Sequence, residues 1–146
     1  MGDLDFDRDE LMKQGRGNQT AIWHTAVRFA KERDGSVDAW ASFVGAQFAP
    51  SWDPMGDRPS ARRVALQSAL NMATTADMRP VDITGDDDRA ELLLDGPEQA
   101  WLDDAGTTCE DIDRTNELVF RAIAEGRGLT LDVRRDQAGF HLVFAR

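Results

Sequence analysis

The period of the apolar residues differs between the two ends of the chain, and that difference limits the folds available to it. In the helical stretches the apolar residues recur every three or four positions, as in Trp40, Phe43, Val44 and Phe48, or Cys109, Ile112, Val119 and Ile123. Such spacing puts them on one face of a helix. From Leu129 onward the step becomes two. Leu129, Leu131 and Val133 alternate with polar residues, DQAG makes a turn, and Phe140, Leu142 and Phe144 alternate again. That is a β-hairpin pattern. Helices first and an antiparallel hairpin last predict an α+β fold: N-terminal helices followed by a small antiparallel sheet with a long helix packed on it.

Local signals divide the chain further. Residues 1–17 alternate Asp with apolar residues and end in KQGRGNQ, which reads as a mobile acidic arm; a single α+β domain over 18–146 follows. The first helix is expected to start near Asn18 or Thr20 and to stop at Asp34-Gly35. Ser36 suits the N-cap of the second helix, with Asp38 in its first turn where the helix dipole favours an acid. The Pro- and Gly-rich APSWDPMGDRP is a loop. A third helix is expected from Asp57–Ser60 to about Asp77. ITGDDD reads as a turn, RAELLLD as a strand closed by Gly96-Pro97, and PEQAWLDD as a short helical piece. Thr107 or Thr108 caps a long helix that Gly126 or Gly128 ends.

Composition narrows the chemistry. A chain of 146 residues with 41% hydrophobic and 30% charged residues is a globular domain of ordinary size. The net charge is −10, and Val81 to Asp113 holds twelve acidic residues against one base, Arg89. Such a surface repels phosphate backbones, so nucleic acid is not an expected partner. No apolar run approaches the roughly 20 residues a membrane helix needs. The acidic N-terminus lacks the basic-then-apolar order of a signal peptide, and the expected location is cytoplasmic. One cysteine, Cys109, excludes an internal disulfide or a multi-cysteine metal site. DLDFDRDE starts like a calcium loop but has Arg8 where the turn glycine belongs and Gln14 at the twelfth place. No metal site and no cofactor are expected, and no phosphate loop or nucleophile elbow occurs.

The remaining chemistry rests on a few side chains. On a helical wheel Ile22, Trp23, Ala26, Val27, Phe29 and Ala30 form one apolar face, and His24 falls opposite it with Thr20, Arg28 and Lys31. His24 therefore reads as a solvated helix histidine, working only if another element covers that polar stripe. His141 alternates against Phe140 and Leu142, so it lies on the sheet's outer face or, if helices cover both faces, in a cavity. Cys109 stands in the first turn of a helix, where the dipole lowers a thiol pKa, but Glu110, Asp111 and Asp113 raise it again. Cys109 and His141 are the candidate catalytic pair. Trp23, Trp40, Phe43 and Trp52 are the candidate lining of an apolar pocket between helices and sheet. Arg134, among Arg62, Arg63, Arg127 and Arg135, is a candidate carboxylate anchor at its rim.

The half from Arg89 to Arg146 resembles the family named for L-2-amino-thiazoline-4-carboxylic acid hydrolase. The likeness lies in the order of ELLLDGPEQAW, CEDID and the final GLTLDVRRDQAGFHLVFAR. It implies ring-opening hydrolysis of a small sulfur heterocycle. Members often carry Cys-Pro where this chain has Gly96-Pro97, and a cysteine near His141-Leu142; Cys109 alone is left to match a recurring family cysteine. Two expectations follow. One is a small-molecule-binding domain with an aromatic-lined pocket. The other is a small hydrolase or tailoring enzyme acting on a sulfur- or nitrogen-containing heterocyclic carboxylate. The expected partner is a small-molecule ligand or substrate, with room for a homodimer and without nucleic acid or membrane.

Overall fold

The computed structural model describes residues 6–52 and 58–146. Five helices and four strands follow one another: α1 (Arg8–Asp34), α2 (Asp38–Phe48), α3 (Ala61–Met72), β1 (Arg79–Gly85), β2 (Arg89–Asp95), α4 (Gln99–Ala105), α5 (Cys109–Gly126), β3 (Thr130–Asp136) and β4 (Gly139–Ala145). The strands make one antiparallel sheet in the order β1-β2-β4-β3. Helices α3 and α5 pack on one face of it, α2 packs on α5, and α1 lies against α4 and α5. This is the expected α+β arrangement. No helix among the described residues is long and apolar enough to cross a membrane.

Several elements begin where capping chemistry puts them. Helix α5 opens on Thr108, whose side chain accepts from the Asp111 N–H, and α3 on Ser60, which accepts from the Arg63 N–H. Helix α1 departs from expectation. It starts at Arg8, well inside the supposed arm, because Asp7 and Glu10 form a reciprocal capping box. Residues 1–5 lie outside the described residues, as does Asp57. The second helix does not use Ser36 as its N-cap; Val37 takes that place, and the Ser36 hydroxyl accepts from the Asp38 N–H. Helix α3 ends at Met72, several residues before Asp77, and β1 spans a stretch expected to hold a turn. Strand β1 escapes the alternation rule because it is a bulged edge strand, irregular between Pro80 and Asp82.

The core sits between the sheet and the helices. Leu92, Leu94, Leu131, Leu142 and Phe144 come from the strands, and Val64, Ala65, Phe120, Ile123 and Ala124 from α3 and α5. Burial of each large side chain contributes roughly 1.5–3 kcal/mol. A second cluster, Val27, Val37, Leu102 and Ile112, joins α1 to α4 and α5. Arg114 of α5 grips Asp38 at the start of α2 with two hydrogen bonds, 2.8 and 3.1 Å.

Helices α2 and α5 touch through Gly45. A Cβ there would stand 2.8 Å from the Ala122 Cβ and 3.1 Å from the Val119 Cα. Gly45→Ala is therefore expected to destabilise the fold by about 1–3 kcal/mol, although alanine is the better helix former. Gly15→Ala, at an open position of α1, is expected to stabilise it by about 0.5–1 kcal/mol. Urea midpoints of the two variants should move in opposite directions.

Candidate functional site

Helix α1 buries a face turned away from the one the wheel assigns to the core, taking in Val27 and Ala30 of the apolar side together with Thr20 and His24 of the polar stripe. Thr20, His24, Val27 and Ala30 are all at most 2% exposed, whereas Ile22 and Phe29 are 72% and 62% exposed. The reason is a polar seam. Thr20 Oγ1 accepts from the Ala76 N–H at 2.8 Å, and one turn on His24 Nε2 meets Asp77 Oδ2 at 2.7 Å. Asp77 itself is 2% exposed. On the other side of the ring, His24 Nδ1 stands 3.3 Å from Thr107 Oγ1. A carboxylate accepts only, so Nε2–H donates to Asp77 and Nδ1 is left to accept from the Thr107 hydroxyl. The reading of His24 as a solvated residue is thus corrected: the turn after α3 covers it.

This seam forms part of the wall of a cavity of about 310 Å³. Trp23 and His24 line it from α1, and Phe48, Ser51 and Trp52 from the end of α2 and the turn that follows. Met72, Thr75, Asp77 and Met78 come from the end of α3 and the loop into β1. Helix α5 supplies Ile112, Asn116, Val119, Phe120 and Ile123, one stripe at helical spacing. Trp52 and Phe120 meet edge to face, ring centroids 6.4 Å apart. Neither Lys nor Arg occurs among the lining residues.

The aromatic expectation divides. Trp23 and Trp52 line the cavity. Trp40 does not; it packs behind Trp23 at 5.1 Å between ring centroids, in the second cluster. Phe43 is 63% exposed and does not line this cavity, because the close α2–α5 contact runs through Gly45 and turns Phe43 outward. Arg134 is no anchor for the cavity either. It bonds Glu91 at 2.7 Å and Asp136 at 2.8 Å on the sheet's outer face. Arg62 donates to the Gly85 carbonyl and Arg127 to the Ala49 carbonyl.

The proposed catalytic pair is not brought together. His141 lies opposite Leu93 and Arg134 in the ladder, on the face away from α3 and α5. Its Nδ1 meets Glu91 at 2.5 Å and its Nε2 meets Asp136 at 2.9 Å, so both ring nitrogens are engaged. The His141 bond is the main cause holding the Asp136 carboxyl below its usual range. Cys109 lies on the helix side, in a groove shared with Val133, Arg135 and Phe140. Its Sγ contacts Asp113 Oδ2 at 3.7 Å, and Arg135 holds Asp113 through Nη2 at 2.7 Å. Burial first, and then the Asp113 charge, push the Cys109 thiol up.

Among the described residues no group of three or more His, Cys, Asp or Glu is placed to hold a metal ion. Sequence reasoning missed Asp77 and Asn116. The Thr20–His24 spacing of four residues was the available signal for the first, since two hydrogen-bonding side chains one turn apart can dock a loop. Asn116, a lone amide on the apolar stripe of α5, was the signal for the second.

A raised thiol pKa means that Cys109 reacts through a small thiolate fraction. Its alkylation by iodoacetamide at neutral pH should be slower than that of free cysteine and should rise steadily with pH. Asp113→Asn removes a raising charge and leaves Arg135 to favour the thiolate, so the rate should increase. An alkylation rate in the native chain above that of free cysteine would contradict this account.

Compared with protein-family models, with curated proteins and with solved structures, the chain matches none.

Proposed function

We propose that this protein is a small-molecule-binding domain and that its ligand occupies the cavity between α1, α5 and the turns after α2 and α3. The observation that carries the reading is the wall itself. Trp23, Trp52, Phe120, Met72, Met78 and Val119 give an apolar lining, and a few polar groups, His24, Asp77 and Asn116, converge on it. Small-molecule sites combine these two features at volumes from about 300 Å³ upward. Four separate segments build the wall, so a ligand would tie α1 to α5, to the turn after α2 and to the loop that leads into the sheet.

A second reading, a small hydrolase, draws on the His24–Asp77 pair in the same wall. An imidazole oriented by a carboxylate is a common arrangement for a general base. With Nε2 bound to Asp77, the proton-accepting nitrogen is Nδ1, which faces Thr107. This reading assigns no part to Cys109 or His141, and the absence of a cationic side chain among the lining residues disfavours a carboxylate substrate.

Native mass spectrometry of the protein from its own host, set against the denatured mass, tests the first reading. The expected result is an adduct of a few hundred daltons, or less, that is lost on denaturation. Met72→Trp fills the wall and should abolish the adduct while leaving the fold intact by circular dichroism. A bare chain, together with no quenching of tryptophan emission by any aromatic solute, would overturn the reading. Turnover of a captured molecule that disappears in His24→Gln would favour the hydrolase instead.

A further inference from the structure

The chemistry of the cavity wall narrows the ligand class, and the inference rests on the binding reading above. Asn116 is 3% exposed, stands on the apolar stripe of α5 between Ile112 and Phe120, and lines the cavity. Its Nδ2 is fully enclosed and has no hydrogen-bond partner among the described residues. A buried donor without a partner is costly, and such groups in a native fold call for an explanation. Two other buried atoms share this condition, Ser68 Oγ and Arg127 Nε, and neither residue lines the cavity.

Most of the other polar groups on the wall have protein partners, and Asn71, which has none for its side chain among the described residues, is exposed. Gln19 Nε2 donates to Thr74 at 3.1 Å, the Ser51 hydroxyl to the Phe48 carbonyl at 2.7 Å, and the Thr75 hydroxyl to the Met72 carbonyl at 2.8 Å. Both nitrogens of His24 are spoken for by Asp77 and Thr107. Asn116 thus differs from its neighbours in having a buried donor still to satisfy. An asparagine amide carries donor and acceptor side by side, and rotation about its last bond exchanges them. Its complement is a flat molecule with an acceptor next to a donor on one edge, the same match by which asparagine reads an adenine edge.

Charge sets the second limit. With Asp77 buried in the wall and no Lys or Arg among the lining residues, an anion would enter a poorly solvated site against a carboxylate, and a cation would compete with His24 for that carboxylate. The aromatic and thioether walls favour a ring system. We propose that the ligand is an uncharged, flat heteroaromatic molecule with an amide-like edge, such as a cyclic amide, and that Asn116 is the residue that recognises that edge.

Four bicyclic probes test this by titration calorimetry and tryptophan quenching: 2-quinolinone (a neutral cyclic amide), naphthalene, quinoline-2-carboxylate and naphthalen-2-ylmethylammonium. 2-Quinolinone should bind about tenfold more tightly than naphthalene, the usual difference for one good hydrogen bond in a closed site. The carboxylate should bind at least as weakly as naphthalene. Asn116→Leu should erase the tenfold preference and raise the unliganded melting temperature by a few degrees, because an unmet buried amide is removed. If the cyclic amide keeps its advantage in Asn116→Leu, or if a charged probe binds best, the inference fails while the cavity remains a binding site. If no probe binds the wild-type chain, the binding reading fails with it.

Discussion

The buried pair of His24 and Asp77, 2.7 Å apart, organises the part of the molecule that encloses the cavity. It joins the middle of α1 to the turn between α3 and β1, and through Thr107 it reaches the turn before α5. Thr20, one helical turn away, adds a bond to the backbone of the same α3–β1 turn. A buried polar group without a partner is expensive, whereas a satisfied network selects one arrangement over its competitors. Helix α1 could bury its more apolar side, with Ile22 and Phe29. The seam prevents this, since that packing would strand Asp77 without His24. The cavity is a consequence: with α1 held at this rotation, Trp23 faces α5 and the Trp52 turn instead of solvent.

Electrostatics separates the interior from the surface. Acidic residues dominate the segment from Val81 to Asp113, yet much of this charge is locally matched. Arg79 bridges Asp95 and Glu98, Arg135 holds Asp113, and Arg134 spans Glu91 and Asp136 around His141. Exposed pairs of this kind contribute little to stability singly. They do remove reactive groups from service. The His141 ring is held between two carboxylates, and Cys109 is kept a thiol by burial and by Asp113. Two residues whose types suggested catalysis are therefore each tied to carboxylates, and lie on opposite sides of the sheet.

Legibility in the sequence followed the strength of the local signal. The C-terminal hairpin, strand β2, the short α4 and helix α5 were readable because their periodicity, caps and turn residues agree with one another. Strand β1 was not, since an edge strand with a bulge needs no alternation. The start of α1 was missed although Asp7 and Glu10 form a capping box, because the apolar spacing there is weak. Within the site, Trp23 and Trp52 were legible as aromatic lining. Trp40 and Phe43 were misplaced because a wheel shows which residues share a face but not which face meets the neighbour. Gly45 decides that for α2.

By itself the amino-acid sequence determined the order of the helices and of strands β2, β3 and β4, the antiparallel hairpin, the single-cysteine chemistry and the acidic surface. These follow from local periodicity, capping and composition, which act over a few residues. Only the tertiary structure decided which side of α1 is buried, that His24 meets Asp77 across 53 positions of chain, and that Asn116 opens onto a cavity. Those outcomes depend on distant segments satisfying one another's hydrogen bonds, and no local pattern encodes which partner will arrive.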